Sequence, residues 1–203
     1  MGQTRLAVFC SGQGTNLQAI LSAIQTGQIS ATIGIVLSDN PSAYCLTRAE
    51  QSRIPTTILN WGKYPSGIER DQEILTALTS HSVDWIILAG FMRLLGPPIV
   101  GAYRNRILNI HPALLPSFKG INAIQRAFGY GVKVTGVTIH IVDEGTDSGP
   151  IILQEAVQIL PTDTLESLTE KIHSVERRLY PKAIQLAVLG KLRIEGRQVR
   201  ILE

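Results

Sequence analysis

From residue 5 onward, short β-branched runs take turns with longer segments of helical period. A parallel sheet with helices on its faces satisfies that order, and few other architectures do. Arg5 to Cys10 reads as the first strand, followed by the turn Ser11-Gly12-Gln13-Gly14-Thr15-Asn16 and then Leu17, Ile20, Leu21 and Ile24 at helical spacing. Ala31 to Leu37 is a second strand, and Tyr44 to Ser52 a helix after the turn residues Asp39-Asn40-Pro41. Thr56 to Leu59 is a third strand, Ile68 to Thr79 a surface helix with Ile68, Ile74, Leu75 and Leu78 on one side, and Trp85 to Ala89 a fully buried strand.

Ile107 to Ile110 is a further strand that runs into His111-Pro112, where the proline biases His111 towards extended backbone and ends the strand. Lys133 to Val142 and Ile151 to Ile159 are β-branched with a polar turn between them, a ribbon or antiparallel edge on the parallel core. Asp163-Thr164-Leu165-Glu166 has the form of a capping box, and Leu165, Leu168, Ile172, Val175 and Leu179 mark the buried stripe of the helix it opens. Pro181 is expected to kink or divide that helix. Residues 192–201 alternate about Gly196 as a small hairpin.

Composition agrees with a packed fold: 203 residues, 44% apolar, 17% charged and 5% aromatic, enough for one sizeable domain, taken as residues 1–203. The net charge of +3 suits small anionic ligands, and the 19 basic residues are scattered, so neither a nucleic-acid partner nor a basic interaction tail is expected. Cys10 and Cys45 have no metal-type spacing and read as reduced, buried, small apolar residues. The first residues show no basic segment followed by a long apolar one, and the apolar stretch from Val83 to Tyr103 is interrupted by Asp84, Arg93 and Pro97-Pro98. A cytoplasmic enzyme without a membrane segment is the expectation.

Four places carry residues suited to chemistry. The turn from Ser11 to Asn16 offers free N–H groups at a helix start, with Gly12 and Gly14 permitting close approach of backbone and Thr15 available to cap the helix. It reads either as a phosphate cradle or as a tight strand-to-helix turn. The third glycine of the dinucleotide pattern and the Lys-Ser/Thr of the P-loop are both missing. Asn109 and His111 fall on one face of a strand at its carboxyl end, where open α/β sheets bind ligands, and an amide donor beside an imidazole answers the needs of acyl transfer. The acidic turn Asp143 to Pro150 is either a solvated hairpin loop or the source of a carboxylate, Asp147, for that imidazole. Glu176 borders the apolar stripe of its helix, as an edge charge or as an inward group for a sugar hydroxyl.

Taken together, Gly14-Thr15-Asn16-Leu17-Gln18-Ala19-Ile20, Leu88-Ala89-Gly90-Phe91-Met92-Arg93-Leu94-Leu95, Leu108-Asn109-Ile110-His111-Pro112-Ala113-Leu114-Leu115-Pro116 and Asp147-Ser148-Gly149-Pro150-Ile151-Ile152 closely resemble the folate-dependent phosphoribosylglycinamide formyltransferases. The resemblance runs from the first strand to Tyr180-Pro181. It implies a Rossmann-like α/β formyltransferase fold, 10-formyltetrahydrofolate as the formyl-donor cosubstrate, 5-phosphoribosylglycinamide as acceptor, and no metal. It further implies Asn109, His111 and Asp147 as the catalytic trio, with His111 protonated to stabilise a tetrahedral intermediate. Gly14, Thr15, Asn16 and Glu176 would hold the acceptor, and Met92, Arg93, Leu94 and Leu95 with Asn109 the folate. Small-molecule substrates and a monomer or homodimer are the partners expected. One departure stands out: where members can carry a folate-side Arg, this chain has Gly67, with Arg70 three positions further on. Methionyl-tRNA formyltransferase and formyltetrahydrofolate deformylase share the Asn-x-His-Pro-x-Leu-Leu-Pro segment. The first resembles a chain extended by an RNA-binding part and the second one extended by a regulatory part, and the present length is expected to accommodate neither.

Overall fold

The computed structural model describes residues 2–64 and 66–203. Seven strands form one sheet in the order β3 (Thr56–Ile58), β2 (Ala31–Ser38), β1 (Thr4–Phe9), β4 (Trp85–Leu88), β5 (Ile107–His111), β6 (Val134–Ile141), β7 (Ile151–Gln158). The first five run parallel, and β6 is antiparallel to both of its neighbours. A separate hairpin pairs β8 (Leu192–Glu195) with β9 (Gln198–Ile201).

Alternation along the strands divides the core in two. Leu6 and Val8 of β1 face α1 (Thr15–Gln25), α2 (Tyr44–Gln51) and α6 (Leu165–Val188) through Leu17, Ile20, Cys45, Leu168, Ile172 and Tyr180. Ala7 and Phe9 point the other way, against Ile74 and Leu78 of α3 (Gly67–Ser80) and Ile99 and Val100 of α4 (Pro97–Ala102). A strand buried on both faces reads as a continuous apolar run, as β1 does from Leu6 to Phe9. Cys10 and Cys45 are buried and unbridged. Among the described residues no helix is long and apolar enough to cross a membrane.

The chain leaves β1 through α1 towards β2 on one side and leaves β4 through α4 towards β5 on the other. The sheet order therefore reverses between β1 and β4, and a crevice opens at their carboxyl ends, the usual ligand position in open α/β sheets.

Several local expectations are corrected. Pro181 does not divide α6, which runs unbroken from Leu165 to Val188. Its stripe is buried on both sides of the proline, at Ile172 and Leu179 and again at Ala183, Ile184 and Ala187, and that packing outweighs a lost helical bond of about 3 kcal/mol. The capping box lies one residue further on: Thr164 Oγ1 accepts from the Ser167 N–H at 3.2 Å and Ser167 Oγ from the Thr164 N–H at 3.0 Å. Asp163, displaced from the cap, receives Lys171 at 2.6 Å. Thr15 does not cap α1. It is the first helical residue, and Gly14 stands at the N-cap in left-handed backbone, φ 68°, with no side chain to offer. Trp85 at the start of β4 is only half-buried. The short helices α4 and α5 (Ala123–Tyr130) had no counterpart in the periodicity.

Candidate active site

At the crevice, Ser11 ties the two strand ends together. Its N–H donates to the Gly90 carbonyl at 3.1 Å and its Oγ accepts the Met92 N–H at 2.9 Å. The glycine turn after β1 and the segment 90–95 after β4 are therefore joined at one residue. A cavity of about 390 Å³ opens beside them, lined by Met92, Arg93, Leu94, Leu95, Asn109, His111, His140 and Asp147 among others. Its size lies in the range of small-molecule sites. Met92 and Leu94 present exposed apolar side chains there, while Arg93 pairs with Asp39 at 2.8 Å and lies over the Trp61 ring.

The strand β5 delivers Asn109 and His111 to this cavity, and the loop between β6 and β7 delivers Asp147. His111 Nδ1 is 3.3 Å from Asp147 Oδ2, and Asn109 Nδ2 donates to Asp147 Oδ1 at 3.3 Å. The Gly120 N–H donates to Asp147 Oδ2 at 2.8 Å, and His111 Nε2 meets the Phe118 carbonyl at 2.9 Å. Below, Thr138 Oγ1 accepts from the Leu115 N–H and donates to the Ala113 carbonyl, so the loop after His111 is fastened to β6. Three non-glycine residues at positive φ, Phe118, Asn122 and Asp147, gather around the cavity, the kind of backbone strain that persists where surrounding contacts enforce it.

Electrostatics refines the expected roles. Burial holds the His111 ring below its ordinary value of 6.5, and the opposing pull of Asp147 and the Phe118 carbonyl does not offset it. Burial thus favours the neutral form of the ring at rest. For Asp147, burial pushes the carboxyl up, but the two imidazoles beside it, His140 and His111, and the Gly120 N–H prevail and hold it below the ordinary range.

The Glu176 side chain turns inward. It is buried and accepts from Asn16 Nδ2 at 3.2 Å, and burial pushes its carboxyl up to about 7. Asn16 Oδ1 is buried without a hydrogen-bond partner. The turn itself is rich in donors: among the described residues, no protein acceptor pairs with the backbone N–H groups of residues 12–17. Gly67 leaves open space that Arg70 occupies by folding back, its Nη2 3.4 Å from where a Cβ would stand. There the guanidinium pairs with Asp71 and stacks on Trp61.

Compared with known families, residues 4–184 match the model described as formyl transferase. The chain belongs to the formyl transferase family. Its relatives include the phosphoribosylglycinamide formyltransferase of Bacillus subtilis, 42% identical over 89% of this chain and 93% of that one. The crystal structure of glycinamide ribonucleotide transformylase 1 from Symbiobacterium toebii superposes with a TM-score of 0.96 at 46% identity, covering 99% of this chain and 95% of that one. The trifunctional purine biosynthetic protein adenosine-3 of Homo sapiens is 43% identical over 95% of this chain and 19% of its own length.

The cavity of this formyl transferase family member also holds a residue the sequence did not single out. His140 is paired with Asn109 in the register of β5 and β6. Its Nδ1 faces the Ile141 carbonyl at 2.8 Å, and its Nε2 lies 3.2 Å from Asn109 Nδ2 and 3.5 Å from Asp147 Oδ1. With Nδ1 as donor, Nε2 accepts one hydrogen of the Asn109 amide while Asp147 takes the other. A histidine set between Ile139 and Ile141, inside the β-branched run that begins at Val137, was the available signal.

Proposed function

We propose that the chain transfers the formyl group of 10-formyltetrahydrofolate to the amine of 5-phosphoribosylglycinamide, giving the N-formyl product and tetrahydrofolate, a step of de novo purine (IMP) biosynthesis. The observation that carries this reading is the meeting of Asn109, His111 and Asp147, up to 38 positions apart in sequence, at one cavity beside a turn of unpaired N–H groups. Amide, imidazole and carboxylate are the groups that acyl transfer to an amine calls on. The same reading takes residues 1–203 as one catalytic domain, working in the cytoplasm on small molecules, as a monomer or homodimer and without a metal.

In this scheme Gly14, Thr15 and Asn16 hold the acceptor's phosphate at the start of α1. Glu176, whose carboxyl burial pushes up to about 7, meets the ribose. Met92 to Leu95 and Asn109 line the folate side, with apolar surface for a ring and backbone groups for its polar edge. The acceptor's amine attacks the formyl carbon, a C–N bond forms, and the carbonyl oxygen gains negative charge. His111, neutral at rest, takes up the surplus amine proton, and the resulting imidazolium faces Asp147. Both ring nitrogens already face protein acceptors, so Nε2 exchanges the Phe118 carbonyl for substrate or water as it acts. Asn109 turns one of its two engaged hydrogens to the oxyanion. Collapse breaks the bond from the formyl carbon to the folate nitrogen, which receives the proton from His111 directly or through an ordered water.

The test is an assay of the purified protein with 10-formyltetrahydrofolate and a panel of amine acceptors. Formyl transfer to 5-phosphoribosylglycinamide is expected. Formate release without any acceptor, or transfer only to a charged tRNA, sinks the reading in favour of the sister activities.

A further inference from the structure

The turn after β1 is held by a row of contacts from the side of α2. Three successive carbonyls, those of Ser11, Gly12 and Gln13, all point to one side, towards α2 and the loop before it. Asn40 Nδ2 donates to the Ser11 carbonyl at 3.3 Å, the Cys45 N–H to the Gly12 carbonyl at 3.1 Å, and Arg48 Nε to the Gln13 carbonyl at 2.9 Å. The peptides are trans, and in a trans peptide the carbonyl and the following N–H point in opposite directions. Holding those three oxygens on the α2 side therefore turns the N–H groups of Gly12, Gln13 and Gly14 to the other side. They join those of Thr15, Asn16 and Leu17, six consecutive donors without a protein acceptor among the described residues.

The row is itself rigid. Asn40 Oδ1 accepts the Ser42 N–H at 3.0 Å, which fixes the amide with Nδ2 towards Ser11. Arg48 Nη1 donates to Gln18 Oε1 at 2.9 Å, and its guanidinium lies 4.9 Å from the centre of the Tyr44 ring. A Cβ on Gly14 would come within 2.7 Å of Cys45 Cβ and 3.3 Å of Arg48 Cδ, so the turn is seated directly on α2. Arg48 is also the source of a whole charge at this place. Among the described residues no carboxylate lies within ion-pair distance of it, its partners being a carbonyl, an amide and a ring.

We propose that Arg48 is a positioning residue for phosphate recognition: from the outer side it fixes the Gln13–Gly14 peptide so that the cradle is formed before a ligand arrives, and its unpaired charge favours a dianion there. This rests on the reading of residues 12–17 as the acceptor's phosphate site, and goes beyond it by naming the element that builds the site. Preorganised donors aimed at an anion bind it without reorganisation, and an unmatched cation adds a screened attraction that salt weakens.

The experiment uses the full chain labelled with ¹⁵N and titrated with ribose 5-phosphate. In the unaltered protein the amide signals of Gly12 to Asn16 move on binding. In Arg48→Met the dissociation constant rises at least tenfold, the salt dependence of binding flattens, and Arg48→Lys recovers part of the loss. In turnover the loss falls on KM for the phosphorylated acceptor, with KM for the folate little changed. Thr15→Val separates the two ideas. If neither Thr15→Val nor Arg48→Met weakens binding and the turn's amides do not move, the phosphate reading itself fails. Weakening by Thr15→Val with Arg48→Met within twofold of the parent overturns the role of Arg48 alone. A thermal melt of Arg48→Met near that of the parent keeps the comparison about binding, and if it melts early, Arg48→Lys carries the same test.

Discussion

His111 lies between two acceptors, a carboxylate at Nδ1 and a carbonyl at Nε2, yet burial keeps it from holding both protons at rest. That combination suits a group that must accept a proton and then release it. His111→Ala is expected to lower turnover by roughly 10²-fold or more with the melting temperature preserved, and turnover near that of the parent would remove the ring from the scheme. Because the charge of Asp147 raises the His111 pKa, Asp147→Asn takes away that support. The acid limb of kcat/KM, set by a ring already below 6.5, moves to still lower pH as the maximal rate falls. A limb that stays in place shows that the two groups do not communicate. Glu176 gives a prediction about stability. Its folded-state pKa of about 7 stands above the ordinary 4.5, so the folded state binds the proton more tightly. The stabilisation is present below about pH 4.5, erodes as pH rises, and is gone above about pH 7, a difference on the order of 3 kcal/mol. Glu176→Gln removes this slope, so its urea midpoint exceeds the parent's at pH 8 and approaches it at pH 5. Parallel pH dependence of the two proteins rules out the assignment. Of these residues, Asn109 and His111 were readable as a pair from strand period, whereas His140 was not, because the register that sets it opposite Asn109 is a tertiary fact.

At the level of elements, legibility followed length. Strands β1, β2 and β5 and helices α1 and α3 carry their period long enough to be read, and their ends fall within a residue or two of the expectation, while α6 begins as expected but runs on past Pro181 to Val188. The six-residue α4, opened by Pro97-Pro98, is too short for periodicity, and α5, opened by Asn122 in left-handed backbone, begins without a side-chain cap. The capping box was recognisable as a motif but was shifted by one residue, since Asp163, Thr164 and Ser167 all offer oxygens and only geometry selects among them. Gly96, at the start of α4, shows a constraint periodicity never displays. A Cβ there would fall 1.6 Å from Asp71 Oδ2, a buried carboxylate held by Arg70. Gly96→Ala is expected to destabilise the protein by about 2 kcal/mol through overpacking and loss of that pair, measured as a lowered urea midpoint. An unchanged midpoint would show that Asp71 can move aside freely.

Across the whole molecule, the two cores hold the sheet from both faces, and the crevice opens where the connections from β1 and β4 diverge. Tyr180, fully buried in α6, donates to the carbonyls of Leu88 and Leu108 at 2.8 and 3.0 Å, so α6 is hydrogen-bonded to both β4 and β5 beneath the cavity. Fold class and the place of the crevice were legible because alternation of strand and helix leaves few sheet orders open. The joining of Asp147 to His111 was not, since it depends on how a loop between two antiparallel strands returns over the sheet.

Ser11 belongs to both halves of this crevice, holding Gly90 and Met92 while it leads into the glycine turn. Whatever settles onto either half steadies that shared hinge pin, and the gain is mutual: each cosubstrate should tighten the other by an equal factor. Ser11→Ala, which removes the bond to Met92, should shrink that factor towards one in paired titrations, and a factor that survives intact would mean the two halves converse by another route.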